Sequence, residues 1–365
     1  MTAQVMAIVG GQYGSEGKGV VVSHLANRYS AHVRVGGPNA GHSHVHAGRV
    51  WKQQSLPCGW TNPDALLVLG RGGLINFPQL LKEVQEVEAT GFKVRHRLKI
   101  DMLAGTLEEH HHQSEGGVEG ALHHRIGSTG EGVGAARIAR LQRSHDRFKL
   151  AFELAEQYGL HECLHPDVSE LLLSRRRDYQ DTLLEGTQGS GLSLVHGPWP
   201  YVTTADTNAA QMASDVGIPP RFVNRTVLVI RSHPIRVAGP SGPLKNETSW
   251  DAISQRLGKR VIEQTTVTRK IRRVGEWDEE LVRQAVKLNA PTSLALMFAD
   301  YIDPLVEGVS TWSRLQMHAP VMQFIDYLEN TFNVPVALIG TGGTVPTPEN
   351  PDALGWRVVD RGIEP

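Results

Sequence analysis

Cysteine is nearly missing from this sequence: Cys58 and Cys163 are the only two among 365 residues. Two thiols cannot build a disulfide framework or a paired CxxC zinc ribbon, so a reducing, cytoplasmic setting is expected. An excess of charge of one sign is missing too, since 37 Lys and Arg face 38 Asp and Glu for a formal net charge of −1. No global field draws such a chain to nucleic acid or anionic lipid, and any phosphate recognition has to be local. No apolar run approaches about 18 residues, and no Lys or Arg precedes the apolar residues 5–9, so neither a membrane span nor a secretory leader is expected. Hydrophobic residues at 40% and aromatics at 6% describe a globular chain, too apolar for disorder and too polar for a membrane bundle.

What the sequence has in excess is glycine, with 38 residues, roughly a tenth of the chain against a usual 7%. Apolar residues 5–9, a glycine-rich turn at 10–19 and a helical pattern at 20–26 open the chain. Further strands are expected at 32–35, 65–69, Thr182–Glu185, 226–230, 293–298 and 335–339, with helices such as 78–90 and 278–289 between them. Strands alternating with helices argue for an α/β fold around a mainly parallel sheet. No repeat, low-complexity tract or long Pro/Ser linker divides the chain, so residues 1–365 are read as one large domain with insertions.

The glycines cluster in four loops. In Gly10-Gly11-Gln12-Tyr13-Gly14-Ser15-Glu16-Gly17-Lys18-Gly19, the glycines allow close approach to phosphate oxygens, the following helix supplies oriented N–H groups, and Lys18 adds a point charge. It departs from the P-loop pattern, because five residues rather than four separate Gly11 from Gly17, and Gly19 stands where Ser or Thr would hold magnesium. Gly36-Gly37-Pro38-Asn39-Ala40-Gly41-His42-Ser43 follows a second strand and holds out His42 as a candidate acid. His44 and His46, among 17 histidines, are read as bystanders. Residues 126–134 offer hydroxyls and amides ahead of a helix near Ala135, and Glu185-Gly186-Thr187-Gln188-Gly189-Ser190-Gly191 places the Gln188 amide at a strand end, where α/β sheets hold ligands. Four such loops imply more than one phosphate-bearing ligand.

Two other segments are weighed and set lower. The run at 108–115 has the composition of a metal tract, but adjacent histidines on a helix point different ways, and a solvated surface is expected instead. The cluster Arg269-Lys270-Ile271-Arg272-Arg273, behind Thr265-Thr266-Val267-Thr268, is too short for nucleic acid and suits a small dicarboxylate or phosphate.

The residues as a set resemble the adenylosuccinate synthetase family from about residue 4 to 345. The resemblance is carried in order by residues 11–19, Asn39-Ala40-Gly41-His42-Ser43, Gly127-Ser128-Thr129-Gly130, Glu185-Gly186-Thr187-Gln188-Gly189, Pro200-Tyr201-Val202-Thr203 and Arg236-Val237-Ala238-Gly239-Pro240. It implies a homodimeric carbon–nitrogen ligase, which joins a purine nucleoside monophosphate to L-aspartate at C6 with a nucleoside triphosphate and Mg2+. Carried across, it makes Ser15, Lys18, His42 and Gln188 catalytic. It assigns the monophosphate to Ser15, Asn39, Ala40, Thr129, Arg140, Gln188, Thr203 and Val237, with Arg140 resembling an arginine that reaches the partner subunit's substrate. The triphosphate falls to Gly14, Glu16, Gly17, Lys18, Gly19, Gly41, His42 and Ser43, and its base to Phe298, Asp300, Gly342 and Gly343. Aspartate falls to Val267, Thr268, Lys270 and Arg272, in a shifted arginine register, and the metal to Ser15 and Gly41.

Two departures from the family pattern are informative. The family's catalytic aspartate, which removes the N1 proton of hypoxanthine, is replaced by Ser15, and a serine hydroxyl cannot act as that base unaided. Guanine differs from hypoxanthine by a 2-amino group in just that place, and Ser15 resembles the phage branch of the family, which makes N6-succino-2-amino-2'-deoxyadenylate from dGMP and aspartate. The family's Lys-x-Asp, which reads guanine in the triphosphate, is here Phe298-Ala299-Asp300. An aromatic face stacks on any purine, so ATP or dATP becomes a donor alongside GTP. The rival readings are an ordinary synthetase using IMP and GTP, a non-catalytic purine-nucleotide sensor, and a generic P-loop NTPase. Dependence on nucleic acid or membrane is not expected, and a phage-encoded protein of this kind works in the host cytoplasm.

Overall fold

Every residue of Val5–Gly10 (β1) is buried, as a strand covered on both faces requires. Its side chains alternate: Val5, Ala7 and Val9 pack with Val282 and Ile325 on one side of the sheet, while Met6 and Ile8 pack with Val21, Val22 and Leu25 on the other. The computed structural model describes residues 3–265, 270–343 and 356–362. Nine further strands join β1: Ala31–Arg34 (β2), Leu66–Leu69 (β3), Leu98–Asp101 (β4), Leu164–His165 (β5), Thr182–Glu185 (β6), Arg225–Arg231 (β7), Ser293–Met297 (β8), Val336–Gly342 (β9) and Arg357–Asp360 (β10). Their order is β10-β9-β8-β7-β1-β6-β2-β3-β4-β5. All neighbours are parallel except β9 and β10, which run antiparallel.

The expected α/β architecture is the observed one. Two of the three strands absent from the expectation, β4 and β5, lie at one edge, and β10 closes the other. They are short or carry charge, so their hydrophobic signal is weak. The first helix is Lys18–Leu25 and starts two residues before the expected 20–26, because left-handed Gly17 (φ 98°) caps it and draws Lys18 and Gly19 into the first turn. The helix expected at 78–90 is Phe77–Glu88, whose first turn is fixed by the Asn76 side chain accepting from Gln79 N at 3.1 Å. Among the described residues, no helix is long and apolar enough to cross a membrane.

Candidate active site

The glycine loops leave the carboxyl ends of parallel strands: residues 11–17 follow β1, 35–41 follow β2 and 186–191 follow β6. Phe298 and Asp300 follow β8, and Gly342 ends β9. Open parallel sheets hold ligands at this edge, beside the strand where the order reverses. Two cavities lie there and share a seam formed by Ser15, Lys18, Gly41, His42, Thr265 and Arg272. A group passing from one cavity to the other has to pass these side chains.

The expected site residues divide between the two cavities. Asn39, Ala40, Thr129, Gln188, Thr203 and Val237 line the first cavity together with Ser15. Gly17, Gly19, Ser43, Phe298, Asp300, Gly342 and Gly343 line the second, which measures about 710 Å³ and falls in the range of small-molecule sites. Lys270 lines the first cavity and Arg272 both. Val267 and Thr268 lie outside the described residues.

Two expected contacts are placed differently. Gly14 lines the first cavity, not the second. Glu16 lines neither: it is fully buried, its Oε1 accepts from Gln12 N at 3.0 Å and Gly14 N at 2.8 Å, and its Oε2 pairs with Lys18 Nζ at 2.6 Å. The side chain folds the loop around itself and is kept from the ligand. Arg140, expected to reach a partner subunit's substrate, lies off both cavities of its own chain, donating to the Arg71 carbonyl at 3.4 Å with its guanidinium 5.6 Å from the Phe148 ring.

The loop geometry accounts for Gly19. A Cβ there would stand 2.8 Å from the Ser43 carbonyl and 3.0 Å from His42 Cβ, so a P-loop Ser or Thr has no room. Ser15 adopts left-handed backbone (φ 59°), and its carbonyl accepts from Arg231 Nη1 at 3.1 Å. Lys18 is 2% exposed and also donates to the Gln188 carbonyl. Residues from β1, β6 and β7 thus fix the seam.

His42 belongs to a buried triad that the sequence did not reveal. Its Nδ1 lies 2.5 Å from Glu185 Oε1, and since a carboxylate only accepts, Nδ1 carries the proton and Nε2 is left for the seam. Arg34 donates to the same Glu185 oxygen at 2.7 Å and to the Ala40 carbonyl at 2.6 Å, while Glu185 Oε2 accepts from Cys58 N at 2.8 Å. Burial, with the Arg34 guanidinium beside it, lowers the His42 imidazole to about 4. Burial alone would raise Glu185, but Arg34 and His42 outweigh it and hold the carboxyl well below its usual range. At neutral pH the imidazole is therefore uncharged; phosphate anions at the seam would favour a proton on Nε2. His42, Cys58 and Glu185 have metal-ligand spacing, but Arg34 already neutralises the carboxylate.

A second buried network lies below the seam. Arg231 is wholly buried, pairs with Glu263, and lies 4.0 Å over the Phe298 ring. Glu263 also accepts from the Tyr301 hydroxyl at 3.1 Å, and the Gln12 amide bonds the Arg231 backbone in both directions at 3.0 Å. One face of Phe298 is thereby taken by protein. In the first cavity Arg236 stacks 3.7 Å over Tyr13 with Nε and Nη2 unpartnered.

The tract at 108–115 is not simply a solvated surface. His111 is buried, with Nδ1 accepting from Glu108 N and Nε2 on the Arg147 carbonyl, and the Glu115 carboxylate accepts from Gly132 N and Ala135 N at the start of the helix Val133–Gln142. Glu108, His110 and His111 do lie within metal-ligand reach of one another.

The buried histidines give this protein an acid-labile window. Burial is the chief cause lowering His32, His42 and His233 to about 4 and His44 to about 3. Between there and the ordinary value near 6.5 the unfolded chain binds these protons and the folded chain does not. Stability therefore falls as pH drops through that window, by up to about 1.4 kcal/mol per pH unit for each histidine. Asp300, raised to about 6 by burial, carries the opposite sign and offsets one of them. Urea midpoints should fall steeply from pH 6.5 to 4.5, and less steeply in His44→Phe, whose parent ring has neither nitrogen partnered. A midpoint independent of pH over that range contradicts this account.

Comparison with known proteins agrees with the geometry. A family model described as adenylosuccinate synthetase matches residues 7–165 and 149–309. Adenylosuccinate synthetases of Methanococcus vannielii and Methanocaldococcus jannaschii are each 38% identical over 338 residues, covering 92% of this chain and 95% and 93% of theirs. Among solved structures, the succinoaminodeoxyadenylate synthetase of cyanophage S-2L, bound to dGMP and to dATP as an energy donor, is similar with a TM-score of 0.78 and 28% identity, over 94% of this chain and 93% of that one. The fully ligated adenylosuccinate synthetase of Plasmodium falciparum shares the fold at a TM-score of 0.80 and 20% identity, over 99% of this chain and all of the other.

Proposed function

The chain belongs to the adenylosuccinate synthetase family of carbon–nitrogen ligases, and from that footing we propose that it couples dGMP to L-aspartate at purine C6. The product of this reaction is N6-succino-2-amino-2'-deoxyadenylate, a precursor of 2-aminoadenine DNA, and the phosphoryl donor is ATP or dATP. The observation that carries the reading is Ser15, an uncharged hydroxyl at the seam of the two cavities where the family pattern has an aspartate. Serine leaves room for the guanine 2-amino group and accepts a hydrogen bond from it. The cyanophage enzyme, solved with dGMP and dATP, supports this choice. The archaeal relatives favour the second reading, an ordinary synthetase acting on IMP with GTP.

Two displacements make up the reaction. The γ-phosphoryl group leaves its bridging oxygen and bonds O6 of dGMP while the N1 proton passes, by way of the Ser15 hydroxyl, to water or to a substrate phosphate oxygen. The aspartate amine then adds at C6, and the C6–O6 bond breaks with loss of phosphate. Lys18 and the N–H groups ahead of the helix Lys18–Leu25 neutralise charge spreading over the transferring group, and His42 Nε2 donates to it. Gln188 orients the purine 6-oxygen, Thr129 and Thr203 hold the monophosphate, and Lys270 and Arg272, with Val267 and Thr268, hold aspartate. The Ser15 hydroxyl and Gly41 carbonyl are oxygen donors at the seam, the ligand type Mg2+ takes beside phosphates and water. When bound there, the ion withdraws charge from the phosphate oxygens.

A cytoplasmic homodimer completes the reading. The helix Val133–Gln142 exposes Ile138 and Leu141, and Arg140 beside them serves the partner's monophosphate, not its own. The test is an oxygen label: with dGMP carrying 18O at C6, aspartate-dependent turnover should release 18O-labelled phosphate. Unlabelled phosphate overturns the two-step route.

A further inference from the structure

Arg231 is the last residue of β7, the strand that lies between β1 and β8. The loops after those two neighbours carry the two departures from the family pattern, Ser15 after β1 and Phe298 after β8. Both residues have left-handed backbone, at φ 59° and φ 60°, which is unfavourable for a residue with a Cβ and has to be held by its surroundings. A single side chain, Arg231, touches both. Its Nη1 donates to the Ser15 carbonyl at 3.1 Å, and its guanidinium lies 4.0 Å over the Phe298 ring. The next residue, Ser232, donates from Oγ to the Phe298 carbonyl at 3.1 Å.

Arg231 is itself fixed in place. The Gln12 amide clamps its backbone, Glu263 receives both of its Nη atoms, and the side chain is wholly buried. One planar group thus serves a carbonyl, a carboxylate and an aromatic face at once, which the point charge of a lysine does not. Ser15, by contrast, is exposed where the two cavities meet, and among the described residues no other hydrogen bond reaches it. We propose that Arg231 is the positioning residue for the acceptor base: by holding the Ser15 peptide it aims the hydroxyl at the purine 2-amino group, and it touches no ligand itself. This rests on the reading of Ser15 as the residue that receives that group.

The test is calorimetric binding to the full chain of dGMP and of dIMP, which differs from dGMP only in lacking the 2-amino group. The unaltered protein should bind dGMP more tightly by about tenfold, the upper scale of one neutral hydrogen bond. Arg231→Met combined with Glu263→Gln removes the guanidinium without leaving a buried carboxylate unpaired. It should bring the two affinities within about twofold by weakening dGMP alone, whereas a site merely loosened would weaken both and keep the ratio. Arg231→Lys, which keeps a cation beside Glu263, should shift the ratio the same way by a smaller factor, and it holds the test open if the double variant fails to fold. In a Ser15→Ala background neither change should move the ratio further, since changes acting through one hydroxyl are not additive. A further move there, or a ratio that stays within about twofold of the unaltered protein's in both variants, overturns the proposal and leaves the Ser15 reading intact. Equal binding of dGMP and dIMP by the unaltered protein overturns the Ser15 reading and the proposal with it.

Discussion

A His42→Ala variant should keep both nucleotides and lose phosphoryl transfer, with kcat falling on the order of 10²–10⁴-fold, the usual scale for a positioned acid. The geometry separates the two effects. His42 reaches the seam between the cavities, while Thr129 and Thr203, the proposed monophosphate contacts, and Phe298 and Asp300, the proposed base contacts, lie on either side of it. Removing the imidazole leaves Glu185 paired with Arg34, so the surrounding fold keeps its charge balance. Steady-state kinetics with each substrate varied in turn check this, and a kcat within tenfold of the unaltered enzyme contradicts the role given to His42.

Glu185→Ala should be worse for the whole molecule. Glu185 is fully buried and receives His42, Arg34 and the Cys58 N–H. Taking the carboxylate away leaves the Arg34 cation buried with only neutral partners, the Ala40 and Gln53 carbonyls and the His42 ring, a change that typically destabilises by about 3–5 kcal/mol. The same change frees His42 Nδ1 and removes the anchor that fixes its tautomer, so turnover should fall at least as far as in His42→Ala. Urea unfolding read beside kinetics gives both numbers. A variant with an unchanged midpoint would show that Arg34 finds another counter-charge and that the triad is not the scaffold of the seam.

Much of this architecture was legible because its signals are local. The strand–loop–helix at residues 5–25 is a short apolar run, a glycine turn and a helical pattern in direct succession, and the structure realises it with a shift of two residues. Phosphate loops announce themselves by glycine, so the loop residues lining both cavities could be named, while Tyr13, Tyr201, Lys259 and Tyr301 among the rest of the lining could not. The buried ionic groups were not legible, because their partners are remote in sequence: Arg34 and Glu185 are separated by 151 positions, Lys259 and Asp300 by 41. The one available hint was an arginine at the end of the wholly buried β2. Glu16 misled in the opposite direction, since a carboxylate between loop glycines reads as facing the ligand, whereas its oxygens satisfy the loop's own N–H groups. The run at 108–115 read as surface because histidines and carboxylates dominate it, yet His111 and Glu115 are buried by bonding backbone.

The central claim is that Ser15 selects a 2-aminopurine. It is tested most directly by aspartate-dependent phosphate release with Mg2+, comparing dGMP with IMP as acceptor and ATP with GTP as donor. The account predicts turnover with dGMP and ATP and none with IMP. Turnover with IMP alone contradicts it and makes the protein an ordinary adenylosuccinate synthetase, and silence with both acceptors contradicts it in favour of a nucleotide sensor.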